Sequence, residues 1–397
     1  MSVLMIATYS YPGTGRVVYG EDALSSLPAL CDSLNAQRVL LLTTPSLVNT
    51  ILTERVQELL DHRCVDVISD VVQHVPSGAV TQVLSQASQT KPDLIVSLGG
   101  GSVTDTAKAI SAGLAQGYED AQSISQHRLR FTYPDKLETT PWSERPVPIV
   151  SIPTTLSAAE YDGIFGMTSS DGVKDLYSDE RLMPSGVILD PFATSLTPER
   201  LWLGTGIRAL DHAVETYLSR APSPLTDALA LHAIELLASN LPASQRNPQD
   251  MQARLSCLVA GWLSMFGVAN VTLGLSHGIG HQIGALCGVP HGETSCVMLP
   301  VVLDHLKHAV PGRLGAVAKA LGRDISDLSE EEGATAGVAA VRDFISGLKL
   351  PTSLSEVHVR EEDLPAIARA SMADMVVAFA PVTVNERDIL GLLRRAW

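Results

Sequence analysis

Three histidines stand close together in the chain: His277 and His281 in His-Gly-Ile-Gly-His, and His291 after a Gly-Val-Pro turn. A spacing of four puts His277 and His281 on one face of a helix. The turn can fold His291 back toward that face. Upstream, Arg208-Ala-Leu-Asp211-His212-Ala-Val-Glu215 reads as helix, with Arg208 and His212 also sharing a face. Between Arg254 and Glu293 there is no Asp, Glu, Lys or Arg. Imidazoles are costly to bury without partners, so three of them in a charge-free segment read as a working cluster rather than scattered core residues. Such a cluster can move a proton or hold a metal ion. The glutamate of HExxH is missing, which argues against metalloprotease chemistry.

A second constellation lies in DLIVSLGGGSVTDTAK, residues 93–108. A buried strand feeds Gly99, Gly100, Gly101 and Ser102, and a helix follows. That order gathers unpaired backbone N–H groups and a positive helix end at one point, where a phosphate can approach glycine closely. The pattern is neither GxGxxG nor GxxxxGK[ST].

These residues need elements to position them. The first half reads as alternating strands and helices: strands at 16–19, 38–43, 64–68, 93–98 and 147–152, helices at 21–34, 47–62, 79–90 and from 103. Alternation of this kind implies a parallel sheet with right-handed crossovers. Residues 125–145 have no clear period and read as an excursion or lid. After Asp190-Pro191 helical periodicity dominates. Two domains are therefore expected: an α/β nucleotide-binding domain over 1–192, and an all-helical domain carrying the histidines over 193–397.

Composition bounds the partners. The 397 residues carry 28 Lys and Arg against 43 Asp and Glu, a formal charge of −15. Such a surface repels phosphate backbones and anionic lipid, so neither nucleic acid nor membrane is an expected partner. The five cysteines are scattered and never form CxxC, as in a reduced cytoplasmic protein. No secretory signal is evident at the N-terminus. The charge-free run reads as buried helices rather than a membrane span, because Ser, Asn, Thr and Gly interrupt it.

The motifs together resemble the iron-containing (group III) alcohol dehydrogenases, with their dehydroquinate synthase-like fold. The resemblance rests on GGGSVTDTAK at 99–108, PTT at 153–155, the Asp-Pro at 190–191, GIRALDHAVE at 206–215 and HGIGH…VPHG at 277–292. It implies NAD(P)H bound in a cleft between the two domains, a homodimer, and a divalent metal that polarises the substrate oxygen. Carried over by position, the resemblance assigns the phosphate cradle to Gly99, Gly100, Gly101 and Ser102. It assigns further cofactor contacts to Asp105, Thr154, Thr155 and Lys174. The metal-ligand histidines fall on His212, His277 and His291, and a proton-relay histidine on His281. Thr44 stands where an acidic residue would hold the ribose of NAD, so NADPH is not excluded.

One position departs from the family. Its pattern reads roughly G-M-D-A-L-x-H, whereas here it is Gly206-Ile-Arg208-Ala-Leu-Asp211-His212. A fixed cation takes the place of the anionic ligand, and a guanidinium beside a divalent ion is repelled. Asp211 could substitute only if the helix rotated by about three residues. No catalytic metal is therefore expected. Maleylacetate reductases form a metal-independent branch of the family. Four residues between the Thr pair and Glu160, and the layout of 172–191, resemble that branch. It typically has Asn at position 208 and Gly at 105, so the substrate is open.

The leading expectation is a metal-free NAD(P)H-dependent reductase acting on a carbonyl or conjugated oxo-acid. Arg208 would stabilise the oxyanion or clamp a substrate carboxylate, and His281 or His277 would deliver the proton. The competing reading of Arg208 is an ion pair with Asp211 or Glu215. The competing functions are a metal-dependent alcohol dehydrogenase with altered ligation, and a non-redox lyase, isomerase or cyclase built on the same fold.

Overall fold

Apolar runs in the first half of the chain become strands because both faces of each are covered. The computed structural model describes residues 9, 15–132, 136–268 and 270–397. Its strands are β1 (Val17–Tyr19), β2 (Val39–Leu42), β3 (Cys64–Ile68), β4 (Leu94–Gly99), β5 (Arg130–Thr132), β6 (Lys136–Glu138), β7 (Ile149–Pro153), β8 (Ile164–Thr168), β9 (Lys174–Ser178) and β10 (Gly186–Leu189). Six of them form a parallel sheet in the order β1-β10-β7-β4-β2-β3. Alternate residues of β2 face opposite sides: Leu40 and Leu42 enter one apolar core, Val39 and Leu41 the other. The helices of this half are α1 (Leu27–Ser33), α2 (Ile51–Leu60), α3 (Ser77–Thr90), α4 (Gly101–Gln116) and α5 (Ala121–Ile124).

The register of β4 against β7 does the work for the site. Gly99 pairs with Pro153, and Thr154 N–H donates to Gly99 O at 2.9 Å. Two motifs some fifty residues apart in sequence thus leave adjacent strands side by side, at the sheet edge where ligands of open α/β sheets bind.

Local differences from the sequence reading have physical causes. The helix expected over 21–34 is a 3-10 turn at Ala23–Ser26 followed by α1, because Asp22 is left-handed (φ 58°) and Pro28 has no N–H. The helix expected over 47–62 spans Ile51–Leu60 and closes in a 3-10 turn at Asp61–Arg63. Among the described residues of 125–145, none lines the main cavity. The segment forms the antiparallel pair β5–β6, with His127 stacked on Trp142 at 3.8 Å and bonded to Tyr118 Oη and Thr140 O. The antiparallel pair β8–β9 was not foreseen.

From Glu199 onward the described chain is helical: α6 (Glu199–Tyr217), α7 (Pro224–Arg246), α8 (Met251–Met265), α9 (Leu275–Cys287), α10 (His291–Leu306), α11 (Pro311–Ala320), α12 (Glu330–Gly347), α13 (Leu364–Ser371), α14 (Met375–Ala378) and α15 (Glu386–Ala396). The charge-free run becomes α8 and α9, buried against α6, α7 and α10. No helix among the described residues is long and apolar enough to cross a membrane. Helices α6 and α10 approach so closely that a Cβ on Gly292 would lie 2.5 Å from Gly204 C. That contact explains the glycine after His291, and it brings the first turn of α10 against Arg208.

Candidate active site

A cavity of about 550 Å³ opens between the C-terminal edge of the sheet and the helical half. At one end stand Gly100, Gly101, Ser102, Thr154 and Thr155. Gly100 caps α4, and the first N–H groups of that helix have no intrahelical partner. A Cβ on Gly100 would meet Thr155 Oγ1 at 3.0 Å, and one on Gly101 would meet Ser157 Oγ at 3.1 Å. Both hydroxyl oxygens are buried without a hydrogen-bond partner. A glycine cradle at a helix N-terminus beside two unpaired hydroxyls fits a dinucleotide pyrophosphate. Gly99 lies beneath, at the end of β4, and is not part of the wall. Thr44 and Ser46 line the far side and bond each other at 2.9 Å. Asp105 Oδ2 accepts from Gly166 N–H at 3.2 Å, tying α4 to β8. Burial raises its pKa, with Lys108 and Lys174 opposing.

Lys108, fully buried, holds this end together. Its Nζ donates to Ala159 O (2.7 Å), Asp162 Oδ1 (2.7 Å) and Ile164 O (2.6 Å), so all three ammonium protons are used. Nearby Glu160 is 3% exposed, and burial pushes its carboxyl up to about 7 from the ordinary 4.5. The folded protein therefore binds this proton more tightly than the unfolded chain does. The fold loses stability as pH rises from about 4.5 through about 7, and bears the whole cost above that. Replacing Glu160 by Gln removes this term. The variant is expected to melt above the wild type at pH 8, by up to about 3 kcal/mol, and to converge with it near pH 5. Thermal denaturation across that range measures it, and a gap that does not widen with pH refutes it.

The other end is built by α6, α9 and α10. Glu215, one helical turn past Asp211 on α6, accepts the first N–H groups of α9: Gly274 at 2.8 Å, Ser276 at 2.7 Å and His277 at 3.3 Å. It also bonds His277 Nδ1 at 2.7 Å. Asp211 Oδ2 accepts from Ser276 Oγ at 2.8 Å. Both carboxyls are raised by burial, Glu215 further by Asp211 beside it. Asp211, Glu215 and His277 lie within 4.8 Å of one another, all buried. Glu215 already accepts several N–H donors, whereas Asp211 Oδ1 and His277 Nε2 are buried without a partner.

Arg208 is 8% exposed and lines the cavity. It forms neither of the ion pairs that helical spacing suggested: among the described residues no carboxylate lies within 4.0 Å of it, and the local ion pairs join His277 to Asp211 and Glu215, and His281 to Asp374. Its guanidinium donates instead to Ser295 Oγ at 3.2 Å and His281 Nε2 at 3.3 Å. Desolvation lowers its pKa, opposed by Asp211, Glu215 and Asp374 nearby. The imidazoles of His212, His277 and His291 are held well below the usual histidine value by burial first. The Arg208 charge adds to this in all three, and Lys174 adds more at His291.

The charge around this donor set weighs against a divalent ion. It offers three neutral imidazoles, and His212 Nδ1, His277 Nε2, His291 Nδ1 and the carboxylate oxygen Asp211 Oδ1 are all buried without a partner. Lys174 Nζ sits 3.2 Å from His291 Nε2, and the Arg208 guanidinium faces the same space. An ion there would meet two fixed or near-fixed cations.

The structure brings Arg208, His212, His281, His291 and Lys174 to one wall. His277 is 0% exposed and lies outside the cavity lining, stacked on His212 at 4.7 Å. Lys174, expected against the cofactor, here reaches the histidine end; burial lowers its pKa, Asp105 opposes and Arg208 adds. Two residues escaped the sequence reading. Asp374 bonds His281 Nδ1 at 2.9 Å. His74 lines the cavity on a strained loop (φ 63°, followed by Val75 at 53°), its ring 5.7 Å from that of His291 and its Nε2 buried without a partner. No motif marks either residue.

A parallel sheet with a phosphate cradle, closed by a helical domain that supplies histidines and a buried cation, defines a dinucleotide-dependent oxidoreductase. Residues 14–191 match the family model described as iron-containing alcohol dehydrogenase, and residues 203–397 match the Fe-containing alcohol dehydrogenase family, C-terminal. The chain belongs to the iron-containing alcohol dehydrogenase family. It is 30% identical over 387 residues to the NAD-dependent methanol dehydrogenase of Bacillus methanolicus, covering 96% of this chain and 97% of that protein. It is 30% identical over 383 residues to maleylacetate reductase 2 of Cupriavidus pinatubonensis, covering 96% and 94% respectively. The solved structure of a 1,3-propanediol oxidoreductase superposes with a TM-score of 0.90 at 28% identity, over 98% of this chain and 100% of that one.

Proposed function

We propose that this oxidoreductase is a metal-independent NAD(P)H-dependent reductase of the maleylacetate-reductase type, acting on a carbonyl or conjugated oxo-acid. The observation that carries the reading is Arg208: a nearly buried guanidinium in the cavity wall with neutral partners and no ion-paired carboxylate among the described residues. A cation so placed favours an anion or a developing oxyanion, where it supplies the charge a metal would otherwise provide. Similarity to a maleylacetate reductase over nearly the whole chain supports the same substrate class.

Bound NAD(P)H would supply hydride to the acceptor carbon. Gly100, Gly101, Ser102, Thr154, Thr155 and the Ser157 hydroxyl would hold it. Arg208 stabilises the charge that collects on the substrate oxygen. His281 Nε2 accepts from Arg208 and is not a donor in this geometry. Lys174 Nζ, beside His291, carries a transferable proton within the cavity, and the low charge of the surrounding helices keeps that space dry. Among the described residues, the wall at Thr44, Ser46 and Leu47 has neither a carboxylate for a ribose hydroxyl nor a Lys or Arg for a phosphate, which supports use of either nicotinamide cofactor. A homodimer is part of this reading, supported by β1 at the sheet edge with Tyr19 59% exposed.

The test combines elemental analysis with oxidation of NADH and NADPH against a panel of oxo-acids and aldehydes, with and without a chelator. The expected result is chelator-insensitive oxidation with oxo-acids and no stoichiometric metal. Stoichiometric iron or zinc, with activity lost to chelator, selects a metal-dependent alcohol dehydrogenase instead.

A further inference from the structure

Arginine can only donate hydrogen bonds, so at 3.3 Å from Arg208 Nη2 the His281 Nε2 atom must accept. A ring that accepts at Nε2 carries its proton on Nδ1. That nitrogen lies 2.9 Å from Asp374 Oδ2. The carboxylate is itself anchored: Oδ2 also accepts from Gln282 Nε2 at 3.1 Å, and Oδ1 accepts from Val376 N–H at 3.1 Å, at the start of α14. Asp374 is 7% exposed and is not part of the cavity wall, although the next two residues are. It meets the cavity only through His281. The order Asp374–His281–Arg208 links three separate segments of the helical half into one directional chain of donors and acceptors.

We propose that Asp374 is the positioning residue for Arg208. It fixes the tautomer of His281, and that tautomer supplies the acceptor that holds the guanidinium facing the cavity. The proposal deepens the functional reading above and rests on it for the catalytic consequence, though not for the tautomer itself.

The chain of bonds makes Asn worse than Ala at position 374, the reverse of ordinary conservatism. An Asn side chain can keep the cap on Val376 N–H with its oxygen and turn its amide N–H₂ to His281. His281 Nδ1 must then accept, the ring proton moves to Nε2, and two N–H groups oppose each other at Arg208. Turned the other way, the amide opposes Val376 N–H. Ala leaves room for water, which can accept from Nδ1–H and preserve the tautomer.

The experiment measures Asp374→Asn and Asp374→Ala in the full-length enzyme by steady-state kinetics, NADH affinity and Tm, with ¹⁵N spectra of histidine-labelled protein. His281→Gln assigns the His281 resonances. The wild type is expected to show the Nδ1–H tautomer at His281, and Asp374→Asn the Nε2–H tautomer. By analogy with other histidines put in the wrong tautomer, Asp374→Asn should lose about 10²-fold in kcat/KM for the oxo-acid, with NADH affinity unchanged. Asp374→Ala should lose about tenfold, the cost of a less well held guanidinium. An Nε2–H tautomer in the wild type overturns the proposal. So does a loss in Asp374→Asn no greater than in Asp374→Ala, which reduces Asp374 to a helix cap. The spectra read the resting protein, so a failure of the assigned reaction is not mistaken for a failure of the hydrogen-bond chain.

Discussion

On the metal-independent reading proposed above, replacing Arg208 by Asp is expected to create a metal-binding centre. Arg208 and His212 lie one turn apart on α6, and His291 faces them from the first turn of α10. A carboxylate at 208 would remove the guanidinium that adds to the depression of the neighbouring imidazoles and place a hard oxygen donor in the cavity wall. The purified variant should take up about one equivalent of divalent ion, where the wild type takes up none. Without added metal its carbonyl reduction should fall by about 10³-fold or more, because the charge at the developing oxyanion has been inverted. With iron or zinc supplied, any recovered activity should be lost to chelators. Elemental analysis and kinetics read both halves. A folded variant that binds no ion means that the imidazoles do not converge on a shared point, and that the substitution at 208 is not what keeps metal out. A variant that keeps wild-type activity without metal removes Arg208 from the mechanism.

What the sequence revealed about this centre follows the range of the interactions. The glycine turn was legible because strand, turn and helix are contiguous. The pairing of His277 with His281, and of Arg208 with His212, follows from four-residue helical spacing. Facing direction was less legible. A three-residue spacing allowed Arg208 to pair with Asp211, but Asp211 bonds Ser276 across the helix interface, and Arg208 turns to His281 and Ser295. His277 shares a face with His281, yet it lies one turn nearer the start of α9, where Glu215 draws its ring behind the wall. Asp374 reaches His281 across 93 positions of sequence, through the packing of α13 and α14 on α9, and no local pattern encodes that contact. The strain in the His74 loop falls on Val75, a β-branched residue that does not favour positive φ, so composition gives no warning of it. Strands β8 and β9 are five residues each and mixed in polarity, which hid the element that delivers Lys174.

Lys108 should prove the most sensitive position in the nucleotide-binding half. It stands two helical turns into α4, after the glycine cradle, and its ammonium closes on two carbonyls and one carboxylate of the segment that carries on from Thr155 and Ser157. The head group is 0% exposed, while Asp162 keeps a side-chain exposure of 19%, so this is an ion pair with one end sealed from water. Removing one partner of such a pair costs far more than the pair contributes over an apolar substitute, because the remaining charge and carbonyls stay buried and unpaired. Lys108→Met fills the space of the stem and deletes only the charge. It should lose about 3–5 kcal/mol of stability, a fall in Tm of roughly 10 °C. Lys108→Arg should not rescue it, since a planar guanidinium cannot place three donors on acceptors arranged around a point. The defect should also reach the cofactor. The loop that Lys108 pins carries the Thr155 and Ser157 hydroxyls beside the cradle, so NADH affinity should weaken by about tenfold even well below the melting transition, as expected when binding groups are no longer held in place. Melting curves with and without NADH, together with a binding titration, separate the two effects. A variant within about 2 °C of the wild type, well under the 2–4 °C expected per kcal/mol over 3–5 kcal/mol, shows that the segment is held by its apolar contacts, and that the buried lysine is a passenger in the cradle.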